Sequence, residues 1–388
     1  MYFKTFLKKF ALLILTLTAV LPEAYSFSGW DRANSPFNFG TKNYETTFSF
    51  KTNEKGLSLD GGLNLSGELT ETPWTGDYWA TWRGGITFRW QIGEDDKSSY
   101  MYETPGKGTD INKLSPAEKY DLYLGKRNFP LTKYERKRTG IFTDREIPEW
   151  EGLCHAWAPA TYLYKAPGKV TVRGKRGHKI NFNSSDLKAL LTYHMHMNQR
   201  KVKTYNLGRR CNFDFKKNPR AVENKAACQD TNAGAFHIAL ANQIGKMNES
   251  FIMDKTRDLE VWNQAVFRYD SEVISMRGPS RGADPRTVKE VVLKTEVFYI
   301  DEEPHSEVNK LVDFYENELD EDGEKGLMYG YNVDDYEYAL ELDSKDRIVG
   351  GSWISYDRPD FIWKQEKPKF SGYFRNLKKI YKMSLKNK

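Results

Sequence analysis

A long region in which apolar and polar residues alternate, from residue 47 to residue 93, constrains the fold of this chain more than any other feature. Alternation with a period of two is typical of β-strands that bury one face. Region 47–93 is therefore predicted to contain strands, and further strand-like segments follow at 235–240, 250–253 and 288–300 and in YEYALELD and RIVGGSW. Helical spacing appears between these regions, so we predict an α+β protein.

Two helices are predicted from their start signals. Residues 115–118 have the sequence of a capping box with Pro116 at the first helical position, and this helix is expected to end near Gly125. A second helix is expected to begin at Ser184 or Ser185. Its buried face is predicted to carry Leu187, Leu190, Leu191 and His194.

The first 26 residues have the pattern of a secretory signal peptide. Three lysines precede the apolar run ALLILTLTAVL, and small residues two positions apart end the segment at Ser26. The run is too short for a membrane-spanning helix. We therefore predict a leader at 1–26, one elaborated domain at 27–363 and a basic tail at 364–388, in a protein that is secreted or periplasmic.

The charge of the chain is concentrated at its two ends. The 59 Lys and Arg exceed the 53 Asp and Glu by six, but the leader carries +2 and the tail +8, so the body carries −4. An acidic body lacks the basic surface that a phosphate backbone requires, so nucleic acid is excluded as a partner. The tail has helical spacing and is interpreted as a solvated terminal helix, with membrane-surface contact as the alternative.

Three cysteines in an exported chain leave one thiol without a partner. Cys211 and Cys228 flank a short polar loop, so we predict a disulfide between them. Cys154 is then the free thiol. It is either a buried structural residue or a nucleophile, and the residues around it bear on that choice.

The neighbours of Cys154 favour a nucleophile. Gly152 precedes it and small residues follow, which predicts a helix that begins near the thiol and lowers its pKa. His237 lies in an apolar segment interpreted as a strand, and Asp254 ends another. If the two strands are adjacent, Asp254 would orient His237 as in a catalytic triad. The alternative is a core histidine held by a backbone carbonyl.

The other histidines are weaker candidates. His194 and His196 are two residues apart and face different sides of a helix, which makes a poor metal pair. His155 is expected to point away from the thiol, and His178 and His305 are expected to be solvated. No spacing of Cys, His, Asp and Glu predicts a metal site, and no cofactor is expected.

Several ordered segments of the chain resemble a known family, the transglutaminase elicitor family of secreted transglutaminases from oomycetes and marine bacteria. These segments are PWTGDYWATWRGGITFRW from Pro73, LSPAEKYDLYLG from Leu114, WEGLCHAWAPA from Trp150, CQDTNAGAFHIALAN from Cys228, DKTRDLEVWNQAV from Asp254, and YEYALELDSKDRIVGGSW with RPDFIW up to Trp363. The resemblance covers most of the chain that follows the leader.

The resemblance implies a papain-like or transglutaminase-like fold with extensive strand elaborations. It implies Cys154 as nucleophile, His237 as base and Asp254 as the residue that orients the base, with Asn263 as the rival third member. The implied enzyme is an acyltransferase that joins protein glutamine to lysine or small amines through a thioester. Backbone N–H groups at the helix start are expected to stabilise the oxyanion. Trp150 and Trp157 are candidates for its support.

Two alternatives stay open at this point. A thiol hydrolase, either a glutamine deamidase or a peptidase, would use the same residues with water as the acceptor. A non-catalytic surface or elicitor protein would use the segment VWNQAV as a recognised element. That segment has Ala265 where the family resemblance leads us to expect proline, which weakens the elicitor interpretation without affecting the triad.

Overall fold

The computed structural model describes residues 29–39, 43–53, 56–89, 104–106, 108–214, 217, 228, 230–257, 259–302 and 330–386. The predicted leader at 1–26 and His305 lie outside the described residues. In the part that is described, no helix is long and apolar enough to cross a membrane.

An eight-stranded sheet forms the centre of the molecule, and all of its strand pairs are antiparallel. Its strands in chain order are β3 (Ser66–Glu68), β6 (Thr204–Gly208), β7 (Phe251–Asp254), β8 (Asn263–Arg277), β9 (Lys289–Ile300), β10 (Tyr331–Leu342), β11 (Ile348–Trp353) and β12 (Phe361–Gln365). Their order across the sheet is β11-β10-β9-β8-β7-β12-β6, and β3 also pairs with β8. Two further hairpins are β1 (Phe48–Asn53) with β2 (Gly56–Gly62), and β4 (Val170–Arg173) with β5 (Lys179–Phe182).

Six α-helices of the described chain pack around these sheets: α1 (Pro116–Tyr123), α2 (Pro130–Thr139), α3 (Cys154–Leu163), α4 (Ser184–Asn198), α5 (Ala233–Leu240) and α6 (Leu377–Ser384). The two predicted helices are confirmed. Helix α1 has the capping box of Ser115 and Glu118, and α4 has one formed by Asn183 and Asp186. A turn with Gly125 in the left-handed region ends the first of them.

Helices α3 and α5 lie on opposite faces of the main sheet. Asp254 and Asn263 face each other across β7 and β8 and share one face, on which α3 packs. Side chains alternate along a strand, so Met253 points to the other face. There its sulfur lies 3.9 Å from the Tyr336 hydroxyl, and the Tyr336 ring packs edge-on against Phe236 of α5. The sheet therefore separates the two helices.

The prediction of a strand at 235–240 is wrong, because this segment is helix α5. Asn232 caps the helix by accepting a hydrogen bond from the Ala235 N–H at 3.1 Å. Every residue of the helix is buried, so its sequence is apolar all round and shows no helical period. Gly234 brings the helix against β11, where an added Cβ would lie 2.1 Å from the Gly350 carbonyl oxygen.

The region between β3 and residue 89 also departs from the predicted strands. Short 3₁₀ turns at Thr81–Arg83 and Gly85–Thr87 occupy the segment that precedes Phe88. Gly84 and Gly85 both have positive φ angles, which an extended strand does not allow. Glycines, rather than the apolar pattern, decide the backbone path in this region.

The basic tail packs onto the body. Phe374 stacks on Tyr120 with ring centroids 5.6 Å apart, and the Tyr381 hydroxyl donates a hydrogen bond to the Lys165 carbonyl. Leu377 and Ile380 of α6 are fully buried. The apolar face of this helix is therefore covered by the protein itself, and only its lysine-bearing face is available to a membrane surface or to water.

The predicted disulfide is present. Cys211 and Cys228 are bonded at 2.03 Å, and both are buried. Cys154 is the free cysteine. The Cys211 N–H donates to the Asp360 carboxylate at 2.7 Å, so the disulfide loop is also tied to the segment that precedes β12.

Candidate active site

Cys154 is the first residue of helix α3, as the sequence predicts. The chain approaches the helix through Gly152, where an added Cβ would lie 2.5 Å from the Tyr78 ring and 2.8 Å from its carbonyl oxygen. The Leu153 N–H donates to this same carbonyl at 2.6 Å. Only glycine fits at position 152, and this close approach fixes the start of the helix and the position of the thiol.

The Cys154 sulfur contacts the start of strand β8. The thiol donates to the Val261 carbonyl oxygen at 3.5 Å, and the Asn263 side-chain amide donates to the sulfur at 3.6 Å. Cys154 is only 8% exposed, and Asn263 is 2% exposed. The rival third member predicted from the sequence is therefore the polar side chain that the structure brings to the thiol.

Burial raises the pKa of Cys154 to about 11. The side-chain and main-chain N–H groups of Asn263 lower this pKa, while the nearby carboxylates of Glu302 and Asp254 raise it. The expectation of a lowered thiol pKa is wrong for this closed arrangement, because loss of hydration opposes the thiolate more than the helix start favours it. The resting state of the sulfur is the neutral thiol.

Asp254 lies directly across from Asn263 in the β7–β8 pair. One carboxylate oxygen accepts the Trp262 N–H at 2.9 Å and the Thr256 hydroxyl at 3.5 Å. The other oxygen has no hydrogen-bond partner among the described residues. Burial raises the pKa of Asp254 to about 7, so this group changes charge near neutral pH.

Glu302 is a second carboxyl group close enough to influence the thiol. Burial, followed by the charges of Asp301 and Asp77, raises the pKa of Glu302 to about 8. The Gln264 side chain donates to it at 3.5 Å. Two acids with neutral-range pKa values therefore lie near Cys154, which is a pattern common at catalytic sites.

His237 does not contact Cys154 or Asp254. It lies on α5, on the opposite face of the sheet, where its Nδ1 is 2.8 Å from the Tyr338 hydroxyl and its ring packs edge-on against Phe48. Burial lowers the pKa of His237 to about 3, and its Nε2 has no hydrogen-bond partner in the described chain. The predicted Cys154–His237 pair is not formed, and His237 is a buried core histidine instead.

The two tryptophans proposed as supports differ in position. Trp157 follows Cys154 by one helical turn and is fully buried, and its indole N–H has no partner within the described residues. An added Cβ at Gly76 would lie 3.0 Å from this nitrogen. Trp150 lies in the turn before α3 and is partly exposed. Of the two, Trp157 presents the unused donor.

Sequence reasoning missed Trp363, which comes from strand β12. Its indole N–H donates to the Asn263 side-chain oxygen at 2.7 Å. The two residues are 100 positions apart, and no local pattern connects them. The only available signal was that the family-like segment RPDFIW ends on this tryptophan.

Three other histidines of the described chain serve other contacts, and His178 is exposed, as the sequence predicts. His155 Nε2 lies 3.0 Å from His196 Nδ1, and His194 contacts Asn198 at the same distance. Burial lowers the pKa of each of these three histidines. The described residues contain no group of three or more His, Cys, Asp or Glu side chains that could hold a metal ion.

Comparison with known proteins identifies the family and the fold. The family model Transglutaminase elicitor matches residues 132–375, more than half of the chain. The chain belongs to the transglutaminase elicitor family. The crystal structure of the GP42 transglutaminase from Phytophthora sojae is similar to this family member, with a TM-score of 0.63 and 24% identity, over 93% of this chain and 100% of that chain. That likeness establishes the fold. No curated protein matches.

The position of His237 leads to a prediction. Because the sheet lies between His237 and Cys154, His237→Gln should leave the rate of Cys154 alkylation by iodoacetamide within about twofold of the wild type, since the thiolate has no imidazole partner to lose. Gln keeps a polar contact toward Tyr338, and the melting temperature reports folding. Slowing by about tenfold or more in a folded variant would mean that His237 supports the thiolate after all.

Proposed function

We propose that this protein is a secreted protein-glutamine gamma-glutamyltransferase. The observation that carries the proposal is the thiol of Cys154, which begins a helix and is held against Asn263 on the face that also carries Asp254. The family membership and the GP42-like fold support the same chemistry. A nucleophile at a helix start, packed on an antiparallel sheet, is also the arrangement expected of a papain-like acyltransferase, and we include that relationship in the proposal.

Acylation of the enzyme requires a base for the thiol proton. We assign this role to Asp254, because it shares the face of Asn263, has a carboxylate oxygen without a partner in the described chain and has a pKa near 7. The sulfur attacks the carboxamide carbon of a glutamine as its proton passes to Asp254. The carbon–nitrogen bond breaks, ammonia leaves with that proton, and a thioester remains on Cys154.

Transfer to the acceptor reverses these proton movements. A neutral lysine or small primary amine attacks the thioester carbonyl and gives a proton to Asp254. The carbon–sulfur bond breaks, the sulfur regains the proton, and an isopeptide bond is formed. The acyl donors and acceptors are thus proteins that carry glutamine and lysine.

Stabilisation of the oxyanion is assigned to donors at the start of α3. The first N–H groups of a helix have no intrahelical acceptor, so the Cys154 N–H is suitably placed to serve a reacting carbonyl. Trp157 is the second candidate, because its indole N–H is buried without a partner among the described residues. Donors that are fixed before the reaction do not have to reorganise during it.

The non-catalytic elicitor interpretation is less well supported. In the segment VWNQAV, Asn263 and Gln264 are 2% exposed and Ala265 is fully buried at the start of β8. The folded protein therefore buries residues 263–266 of this segment, and Val261 and Trp262 are partly exposed. The export assignment is supported by the Cys211–Cys228 disulfide, since disulfides persist in oxidising compartments.

The central prediction concerns amine incorporation. Mature protein incubated with a glutamine-containing protein and a labelled primary amine should attach the label and release ammonia. Cys154→Ser should reduce incorporation by about a thousandfold or more, because an alcohol cannot replace the thiol as nucleophile here.

Two outcomes would change this proposal. Equal labelling by the wild type and Cys154→Ser would rule out the enzymatic interpretation. Release of ammonia without incorporation of the amine would replace the transferase with a hydrolase.

The pH dependence tests the base. Since Asp254 must be ionised to accept a proton, kcat/KM should fall about tenfold per pH unit below its pKa near 7. Asp254→Asn should remove this inflection and lower kcat by about a hundredfold or more.

Glu302→Gln is the matched comparison, because Glu302 is the other buried acid near the thiol, with a pKa of about 8. The inflection should persist in this variant. If Glu302→Gln removes it and Asp254→Asn does not, the base is Glu302 and the assignment to Asp254 is wrong.

A further inference from the structure

Three strands bring polar side chains to one face of the sheet beneath Cys154. Asn263 is on β8, Asp254 faces it from β7, and Trp363 on β12 is paired with Ile252 of the same β7 strand. Asn263, Asp254 and Trp363 are all at least 95% buried. The register of the three strands therefore fixes this group as a rigid platform.

The orientation of the Asn263 amide follows from its partners. An indole N–H is only a donor, so the atom of Asn263 that lies 2.7 Å from Trp363 Nε1 must be the carbonyl oxygen. The NH₂ group then points to the Cys154 sulfur, 3.6 Å away. A flipped amide would place two donors against each other at Trp363 and leave an acceptor against the sulfur.

The partners of Asn263 argue against one role for this residue and favour another. In the role of third triad member, its oxygen would accept a hydrogen bond from a histidine base, but its donor in the described chain is the Trp363 indole, and His237 contacts Tyr338 instead. Its amide N–H faces the Cys154 sulfur, which becomes negatively charged when the thiol loses its proton. Hydrogen bonds to a charged acceptor are stronger than those to a neutral one, so this contact favours the thiolate over the thiol.

We propose that Asn263 stabilises the Cys154 thiolate through its amide N–H, and that Trp363 is the positioning residue that holds this amide in the donating orientation. The inference rests on Cys154 being the nucleophile of the proposed function. Within this site Asn263 offsets part of the cost of forming a thiolate in a buried position beside the carboxyl groups of Asp254 and Glu302.

The test measures the thiol itself. The rate of Cys154 alkylation by iodoacetamide is measured by mass spectrometry between pH 7 and pH 10 in the intact protein. Trp363→Phe keeps a ring but removes the N–H, and should slow alkylation about three- to tenfold, because the amide becomes free to flip. Asn263→Asp is isosteric and places an acceptor at the sulfur, and should slow alkylation by about tenfold or more.

Trp353→Phe is the matched control. Its indole N–H also donates to an oxygen, the Thr231 carbonyl at 2.6 Å, but it packs with Tyr336 and Tyr338 on the other face of the sheet. In Trp353→Phe, the rate of Cys154 alkylation should stay within about twofold of the wild-type rate. Unchanged rates in both Trp363→Phe and Asn263→Asp would overturn the proposal. Faster alkylation in these two variants would also overturn it. That result would mean that Trp363 and Asn263 shield the thiol by packing rather than stabilise the thiolate.

Activity measurements separate this inference from the proposed function. Incorporation of a labelled amine by the wild type tests the proposed function and does not test the role of Asn263. In Trp363→Phe, we expect kcat to fall with the alkylation rate while KM for the amine stays unchanged, as a positioning role requires. If the wild type incorporates no amine but the variants show the expected order of alkylation rates, the proposed function is refuted and the role of Asn263 as thiolate donor stands. A rise in KM with unchanged alkylation would refute the donor and leave the function in place.

Discussion

The packing of helix α3 against the start of strand β8 is the contact on which the rest of the site depends. It places the Cys154 sulfur against the Val261 carbonyl and the Asn263 amide. The pairing of β8 with β7 then sets Asp254 across from Asn263. One helix start and one strand pair thus bring together a thiol, a hydrogen-bond donor and a titratable acid, and each is held by backbone geometry.

Burial is the dominant electrostatic influence at this site. It raises the pKa of Cys154 to about 11, of Asp254 to about 7 and of Glu302 to about 8. A buried carboxyl group that binds its proton more tightly in the folded state makes folding less favourable as pH rises above the unfolded pKa near 4. The site therefore retains two acids that lower the stability of the folded protein at neutral pH.

Local signals in the sequence predicted several elements correctly. Capping residues located α1 and α4, the polar loop between Cys211 and Cys228 indicated the disulfide, and the small residues after Cys154 indicated a helix. The role of His237 could not be predicted, because α5 is apolar on all sides and its sequence resembles a buried strand. The face of the sheet to which a side chain points depends on the pairing register of strands that are distant in sequence, and this register cannot be predicted from a local pattern. For the same reason, the contact between Trp363 and Asn263 left no local trace in the sequence.

Detection of the acyl-enzyme tests the central claim most directly. A glutamine peptide is mixed with the wild type, His237→Gln and Cys154→Ser in the absence of amine, and each sample is quenched in acid and analysed by intact mass and peptide mapping. The account predicts an adduct of peptide minus ammonia on the Cys154 peptide in the wild type and in His237→Gln, and none in Cys154→Ser. An adduct on another residue, or its loss in a folded His237→Gln variant, would contradict the account.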